Sequence, residues 1–313
     1  MGSTLSESES ESSEFESFES ESKSDPLSDE NAIRGKDVTL TLRGLFDYIL
    51  NQQLSRVFFD LKITAEERLE IIKTLVEEKK LSVNFRHRGN TLLHLAAMDD
   101  NTSLLLQYLL DKGADMEILD CNGYTPLACA AIDGNVKAAR LLIDNGAHVN
   151  VTIKDNLTPL HLAVTANSPE IVQILIHGEA NVDAKDKNGS TALHFAVTAN
   201  SPEMVQMLIH GGANVDAQDN DNLTPLHFAV DANSPEIVQI LIHGGANVDA
   251  QDKNNSRPLH LAVAVNFPEI VQMLIHGGAD IAAQGKHGKT PLDIACERKN
   301  GTIVEILLKA SSH

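Results

Sequence analysis

The apolar residues of this chain fall into short groups that return at a fixed step. Within residues 169–177, Ile171, Val172, Ile174 and Leu175 recur at helical spacing, and Gly178 closes the run. Ahead of it, residues 159–165 predict a shorter helix, with Thr158 before it and Pro159 at its first position. Asn167 separates the two and suits the left-handed backbone of a tight turn; Gly134 stands at the equivalent place one unit earlier. Ser168-Pro169-Glu170 predicts a start in which the serine caps free N–H groups and the glutamate faces the positive helix end. Residues 183–189 are polar, carry turn chemistry and show no helical period.

This block occurs almost verbatim at 157–186, 190–219 and 223–252. Thr158, Thr191 and Thr224 lie 33 residues apart; Arg257 and Thr290 continue the step forward and Thr125 backward. Thr91 lies 34 residues before Thr125. One unit is therefore two antiparallel helices and a β-turn finger. It is too small to bury its own apolar face, so it must stack on its neighbours.

Thr-Pro-Leu-His-x-Ala at the start of the first helix, the 33-residue step and the Gly-Ala-Asn-Val-Asp ending resemble the ankyrin repeat. The resemblance covers 86–313 in seven units that open near 91, 125, 158, 191, 224, 257 and 290. The implied fold is an all-α ankyrin-repeat solenoid of helix-turn-helix units with β-turn fingers. Departures are local: Leu92 and Ala192 replace Pro, Ala128 and Asp293 replace His, Arg257 replaces Thr, and Glu179 replaces a Gly.

Residues 1–31 form a Ser/Glu tract with ten acids and one lysine in its first 30 positions. Too little apolar surface is present to offset chain entropy, so a disordered acidic tail is expected. Ser6, Ser8, Ser13 and Ser22 each have an acid three residues on, the pattern favoured by acid-directed kinases, and are phosphorylation candidates. Residues 32–85 lack the repeat opening yet keep helical periods, and Thr64 with Glu67 forms a capping box. They are expected to be a divergent helix pair covering the open end of the stack.

Acids outnumber bases by 44 to 25, a net charge of −19, which argues against direct nucleic-acid contact. No apolar run suggests a leader or a membrane span, and three cysteines without disulfide or zinc spacing point to a reducing compartment. A cytoplasmic setting is expected, with the nucleus as the alternative, and the monomer is the expected state.

The 13 histidines raise the question of metal. His94, His161, His194, His227 and His260 share one repeat position; His177, His210, His243 and His276 share another. Stacked helices stand about 8–10 Å apart, whereas zinc ligands lie about 2 Å from the ion. Neighbours in such a ladder cannot share an ion, so no metal and no cofactor are expected. The resemblance assigns the first set to backbone hydrogen bonds between units. No nucleophile–base pair or phosphate loop stands apart from the repeats, so no catalysis is expected.

The resemblance implies a concave groove lined by finger tips, His87 and Arg88 at the first, and by the ends of the first helices. The candidate protein-binding residues are Arg88, Tyr124, Lys154, Leu157, Lys187, Asp221, Leu223 and Lys253 on fingers. On helix ends they are Asp133, Thr165, Thr198 and Asp231. Phe267 is added because it stands where Ser168, Ser201 and Ser234 are expected to cap their helices. The expected function is a scaffold or adaptor that binds a protein partner. The alternatives are an inhibitor resembling the ankyrin-type NF-κB inhibitors, and a host-targeted effector of a symbiont or virus.

Overall fold

In the computed structural model, residues 50–58 and 62–312 are described. The acidic tail, its four candidate serines and residues 32–49 lie outside them. Contacts divide the chain into Met1–Gln52 and Gln53–His313. Only residues 50–52 of the first unit are described, and they are helical.

The second unit is a stack of helical hairpins. First helices are Leu92–Ala97, Pro126–Asp133, Pro159–Thr165, Ala192–Thr198, Pro225–Asp231, Pro258–Ala264 and Pro291–Glu297. Each is followed by a second helix, from Ser103–Asp111 to Gly301–Ala310. First helices pack on first helices, and second on second. Ala65–Lys73 packs on Ser103–Asp111 and so stands in second-helix position at the N-terminal end. Its Thr64 and Glu67 make the reciprocal capping bonds, at 3.2 and 2.9 Å. Thr74–Glu78 continues it as a π-helix. The only sheet among the described residues is the first finger, where β1 (Arg86–His87) pairs antiparallel with β2 (Asn90–Thr91).

The core is aliphatic and follows the period. Ile171, Val172 and Leu175 of one second helix are fully buried, as are Ile237, Val238 and Leu241 two units on. Each such side chain contributes roughly 1.5–3 kcal/mol by leaving water. Asn167, Asn200, Asn233 and Asn266 all turn the hairpin at φ between +50° and +63°, and Gly134 does so at +74°.

Hydrogen bonds stitch unit to unit twice over. Asn150 Oδ1 accepts from the Asn181 N–H at 2.7 Å, Asp183 from Asn214 at 2.8 Å and Asp216 from Asn247 at 2.8 Å. Fingers also bond through backbone: the Lys187 N–H donates to the Asp155 carbonyl at 2.8 Å, and the Asn220 N–H to that of Asn188 at 2.8 Å.

One departure in the repeat carries strain. After the second helices, Gly212, Gly245 and Gly278 hold φ near +90°, and Glu179 holds φ +63° at the same place. A left-handed backbone costs a non-glycine residue roughly 1–2 kcal/mol. Glu179→Gly is therefore expected to raise stability by about 1 kcal/mol, since greater freedom of the unfolded chain offsets part of the relief. A urea midpoint that stays or falls would mean that Glu179 makes a compensating contact.

The expected serine caps are not formed. Ser168, Ser201 and Ser234 precede their helices without a capping hydrogen bond. Their backbone sits near φ −110°, ψ +80° to +93°, which does not bring the hydroxyl onto the first free N–H groups. Ser234 Oγ instead donates to Asn200 Oδ1 at 2.7 Å. Phe267 keeps the same backbone, at φ −108° and ψ +82°, so it gives up no cap. The reason offered for singling it out is thereby removed.

Candidate protein-binding groove

The first-helix histidines are fixed by sequence neighbours and by the next unit. The backbone N–H of Thr158 donates to His161 Nδ1 at 3.2 Å, and that of Thr191 to His194 Nδ1 at 3.1 Å. An N–H can only donate, so Nδ1 is the acceptor and Nε2 carries the proton. Nε2–H then donates to the next finger's carbonyl: His94 to Tyr124 at 2.9 Å, His161 to Ser190 at 3.3 Å, His194 to Leu223 at 3.2 Å. His260 reaches both Ala283 and Lys289, at 3.1 and 3.2 Å. Gly285 makes room there, because a Cβ at that position would lie 2.7 Å from His260 Nε2. Burial holds all five rings below the ordinary imidazole value, against the carbonyls that favour the protonated form.

These rings serve the scaffold. Among the described residues, no three His, Cys, Asp or Glu side chains converge as metal ligands. Burial pushes the Cys129 thiol up to about 12, so it stays protonated. The second set of histidines is exposed; His210, His243 and His276 donate Nδ1–H to carbonyls of their own helices, at 2.7–2.8 Å.

The fingers and first-helix ends share one face. Four fingers are shaped by an aspartate (Asp120, Asp186, Asp219 and Asp252) whose Oδ1 accepts two backbone N–H bonds: Asp186 from Asn188 and Ser190, Asp219 from Asp221 and Leu223, all at 2.8 Å. That turn sets the residue before each threonine at the groove edge. Tyr124, Leu157 and Leu223 are all half-buried there.

Among the candidates, several finger charges neutralise one another across the stack. Lys187 pairs with Asp155 at 2.9 Å, and Lys253 with Asp221 at 3.2 Å. These exposed pairs are worth little in stability, roughly 0–1 kcal/mol, but they fix the tips. Lys154 and Arg88 are exposed. Thr165 and Thr198 are exposed too, yet their hydroxyls donate back to the His161 and His194 carbonyls at 2.9 Å. Asp133 is exposed, and desolvation raises its carboxyl above the ordinary value. Phe267 precedes a second helix and is half-buried, apart from the fingers. His87 is buried at 1% exposure with Nε2 3.3 Å from Ser55 Oγ, so it is no groove tip.

Sequence reasoning passed over three features of this face. Met98 stands seven residues after Thr91, where later copies have Thr165 and Thr198, and is 46% exposed; Ile132, a helix-end position that the sequence does indicate, is 39% exposed beside it in the column. The column position was the available signal. Phe195 and Phe228 are half-buried, each edge-on to the preceding unit's histidine at 5.2 Å between centroids. Between the units that open at Thr224 and Arg257 the floor deepens into a cavity of about 370 Å³. Leu223, Phe228, Asp231, Leu261, Ala264 and Ile294 surround it. A more polar hollow of about 580 Å³ lies between fingers, but its Asp216 and Asp249 already accept seam N–H groups.

Comparison with known proteins agrees with this architecture. The family model "Ankyrin repeats (3 copies)" matches residues 61–153, 149–219, 209–285 and 226–313. Ankyrin repeat domain-containing protein 53 of Homo sapiens is 45% identical over 71 residues, covering 21% of this chain and 13% of that protein. The Macaca fascicularis protein of the same name is 39% identical over 98 residues, covering 28% and 20%. The chain thus spans a small part of those curated relatives. Among solved structures, the ankyrin repeat domain of Bcl-3, a member of the IkappaB protein family, superposes with a TM-score of 0.65 at 33% identity. It covers 71% of this chain and 99% of its own. The human ASB11 ankyrin repeat domain gives 0.59 at 27% identity, covering 71% and 98%. With its period, its finger turns, its histidine seams and these matches in agreement, the chain belongs to the ankyrin repeat family.

Proposed function

We propose that the chain is a non-enzymatic scaffold or adaptor that binds a partner protein along the finger face. The 86–313 units would form the binding array, and 32–85 its N-terminal cover. The supporting observation is a division of labour within near-identical units. Threonine, histidine and aspartate are spent on turns and seams, while the exposed finger and helix-end positions change from copy to copy. Apolar side chains half-exposed on such an edge anchor partners well, because their burial on binding needs little ordering. A cytoplasmic or nuclear monomer fits this role. Among the described residues no helix is long and apolar enough to cross a membrane.

A second reading, inhibition of a transcription factor by surface occlusion, is favoured by the likeness to Bcl-3 across most of the array. Both readings use the same face. Affinity capture on the full chain should recover a partner that the Tyr124→Ser, Leu223→Ser double variant loses by about tenfold or more, equivalent to at least about 1.4 kcal/mol. Equal recovery by a double variant with unchanged far-ultraviolet dichroism would end the groove reading.

A further inference from the structure

We propose that the cavity between the Thr224 and Arg257 units takes an arginine flanked by leucines, presented by a basic, extended segment of the partner. This rests on the groove reading and specifies what the groove recognises.

The cavity exists because of one side chain. Seven residues after each unit's opening stand Met98, Ile132, Thr165, Thr198, Asp231, Ala264 and Glu297 in turn. Ala264 is the smallest of that column. It leaves open the space above Leu261 and Phe228, beside the carboxylate of Asp231.

That carboxylate stands in an unfavourable place. Asp231 is the last residue of Pro225–Asp231, at the negative end of the helix, where an anion is disfavoured. Among the described residues no ion pair or hydrogen bond includes its side chain, whereas Lys253 and Asp221 close by are paired. A cation supplied from outside would relieve it. Asp252, tied to the Asn254 and Ser256 N–H groups at 2.8 and 2.7 Å, adds a second negative charge to the wall.

The rest of the lining selects the form of that cation. Phe228 is half-buried, and its ring suits a planar guanidinium better than an ammonium. Leu223, Leu261 and Ile294 suit the methylene stem and apolar neighbours. His227 also lines the cavity, but it belongs to the scaffold: it is 2% exposed, its Nδ1 accepts the Thr224 N–H at 3.1 Å, and the Ser256 carbonyl stands beside the ring where the other units complete the seam. At a net charge of −19, the whole chain also draws a basic segment in.

The test uses the full chain and a short fluorescein-labelled peptide centred on Ser-Leu-Arg-Leu-Ser, with matched peptides carrying Lys, Gln or Glu for Arg. Anisotropy should rank Arg above Lys, and both above Gln and Glu. Asp231→Asn should weaken the Arg peptide by about tenfold, the difference expected of one partly desolvated charge pair. Ala264→Arg places the chain's own guanidinium in the cavity, at a helix end that welcomes a cation, and should abolish the preference. No binding, equal binding of the Arg and Gln peptides, or unchanged binding by both variants would overturn the assignment. So would concentration-dependent self-association that Ala264→Arg removes, since the occupant would then be a second copy of this chain. Partner capture that still depends on Tyr124 and Leu223 would leave the groove reading standing in each of these cases.

Discussion

Acidification from about pH 7 to about pH 5 is expected to remove several kcal/mol from the stability of the array. His94, His161, His194, His227 and His260 are neutral in the fold, with protonation opposed chiefly by burial. Their folded pKa values are depressed, so the unfolded chain binds protons that the folded chain refuses. Above the ordinary imidazole value, near 6.5, both states are neutral and nothing is lost. As the pH falls below it, each such ring subtracts up to about 1.4 kcal/mol per pH unit until its folded value is reached. Five rings in one cooperative stack make the decline steep. Glu77, held low first by its bond to Lys112, and Asp293, held low by the Thr290 backbone, lose their contribution only in a lower window. Urea midpoints at constant ionic strength would measure the slope. A flat profile between about pH 7 and pH 5 would show that the rings titrate normally in the fold. Replacing His161 and His194 by Asn should flatten it in part, because two of the five linked protons disappear.

Leu208→Ala should be the most disruptive single change in the middle of the stack. Leu208 is fully buried in Pro202–His210, between Pro169–His177 and Pro235–His243. Truncating a leucine at such a site costs about 2–5 kcal/mol, because the space left cannot close. In a stack held by nearest-neighbour contacts, the break also separates two blocks. Urea unfolding should shift and broaden, and the blocks on either side should melt apart. Leu307→Ala, in the final helix, removes a similarly buried side chain with one neighbouring unit. It should fray the end and leave a single main transition. Identical sharp shifts for both variants would mean that the array unfolds as one body whatever the site.

Much of this architecture follows from local chemistry that a single unit displays. Proline after an extended threonine starts the first helix, asparagine takes the left-handed turn, and the aliphatic positions of residues 169–177 name the buried face. The histidine seam was readable through the family resemblance. What escaped depends on phase between units. Lys187 meets Asp155 and Lys253 meets Asp221 across 32 residues, a pairing set by how far each finger overhangs the last. The cavity draws on three successive units and on the absence of a side chain at Ala264, so no one copy hints at it. The serine caps were misread for a different reason. Ser-Pro-Glu has the right composition for a cap, but the preceding tight turn decides the backbone angle, and residue type alone does not report that angle. His87 looked like a basic tip beside Arg86 and Arg88, yet the pairing of β1 with β2 turns it inward.

The seams described above are interchangeable, because each uses the same atoms at the same offset. Were residues 191–223 lost by slippage between near-identical stretches of coding sequence, Ser190 would simply precede Thr224. His161 would keep its carbonyl, and Asp183 would accept the Asn247 N–H in place of that of Asn214. The scaffold would close without a scar, while everything beyond the deletion moved one step toward the N-terminal end. A lineage carrying such a gene can therefore change the length of its array in whole increments, losing with each copy only the edge residues that copy carries, here Thr198 and Leu223 among them.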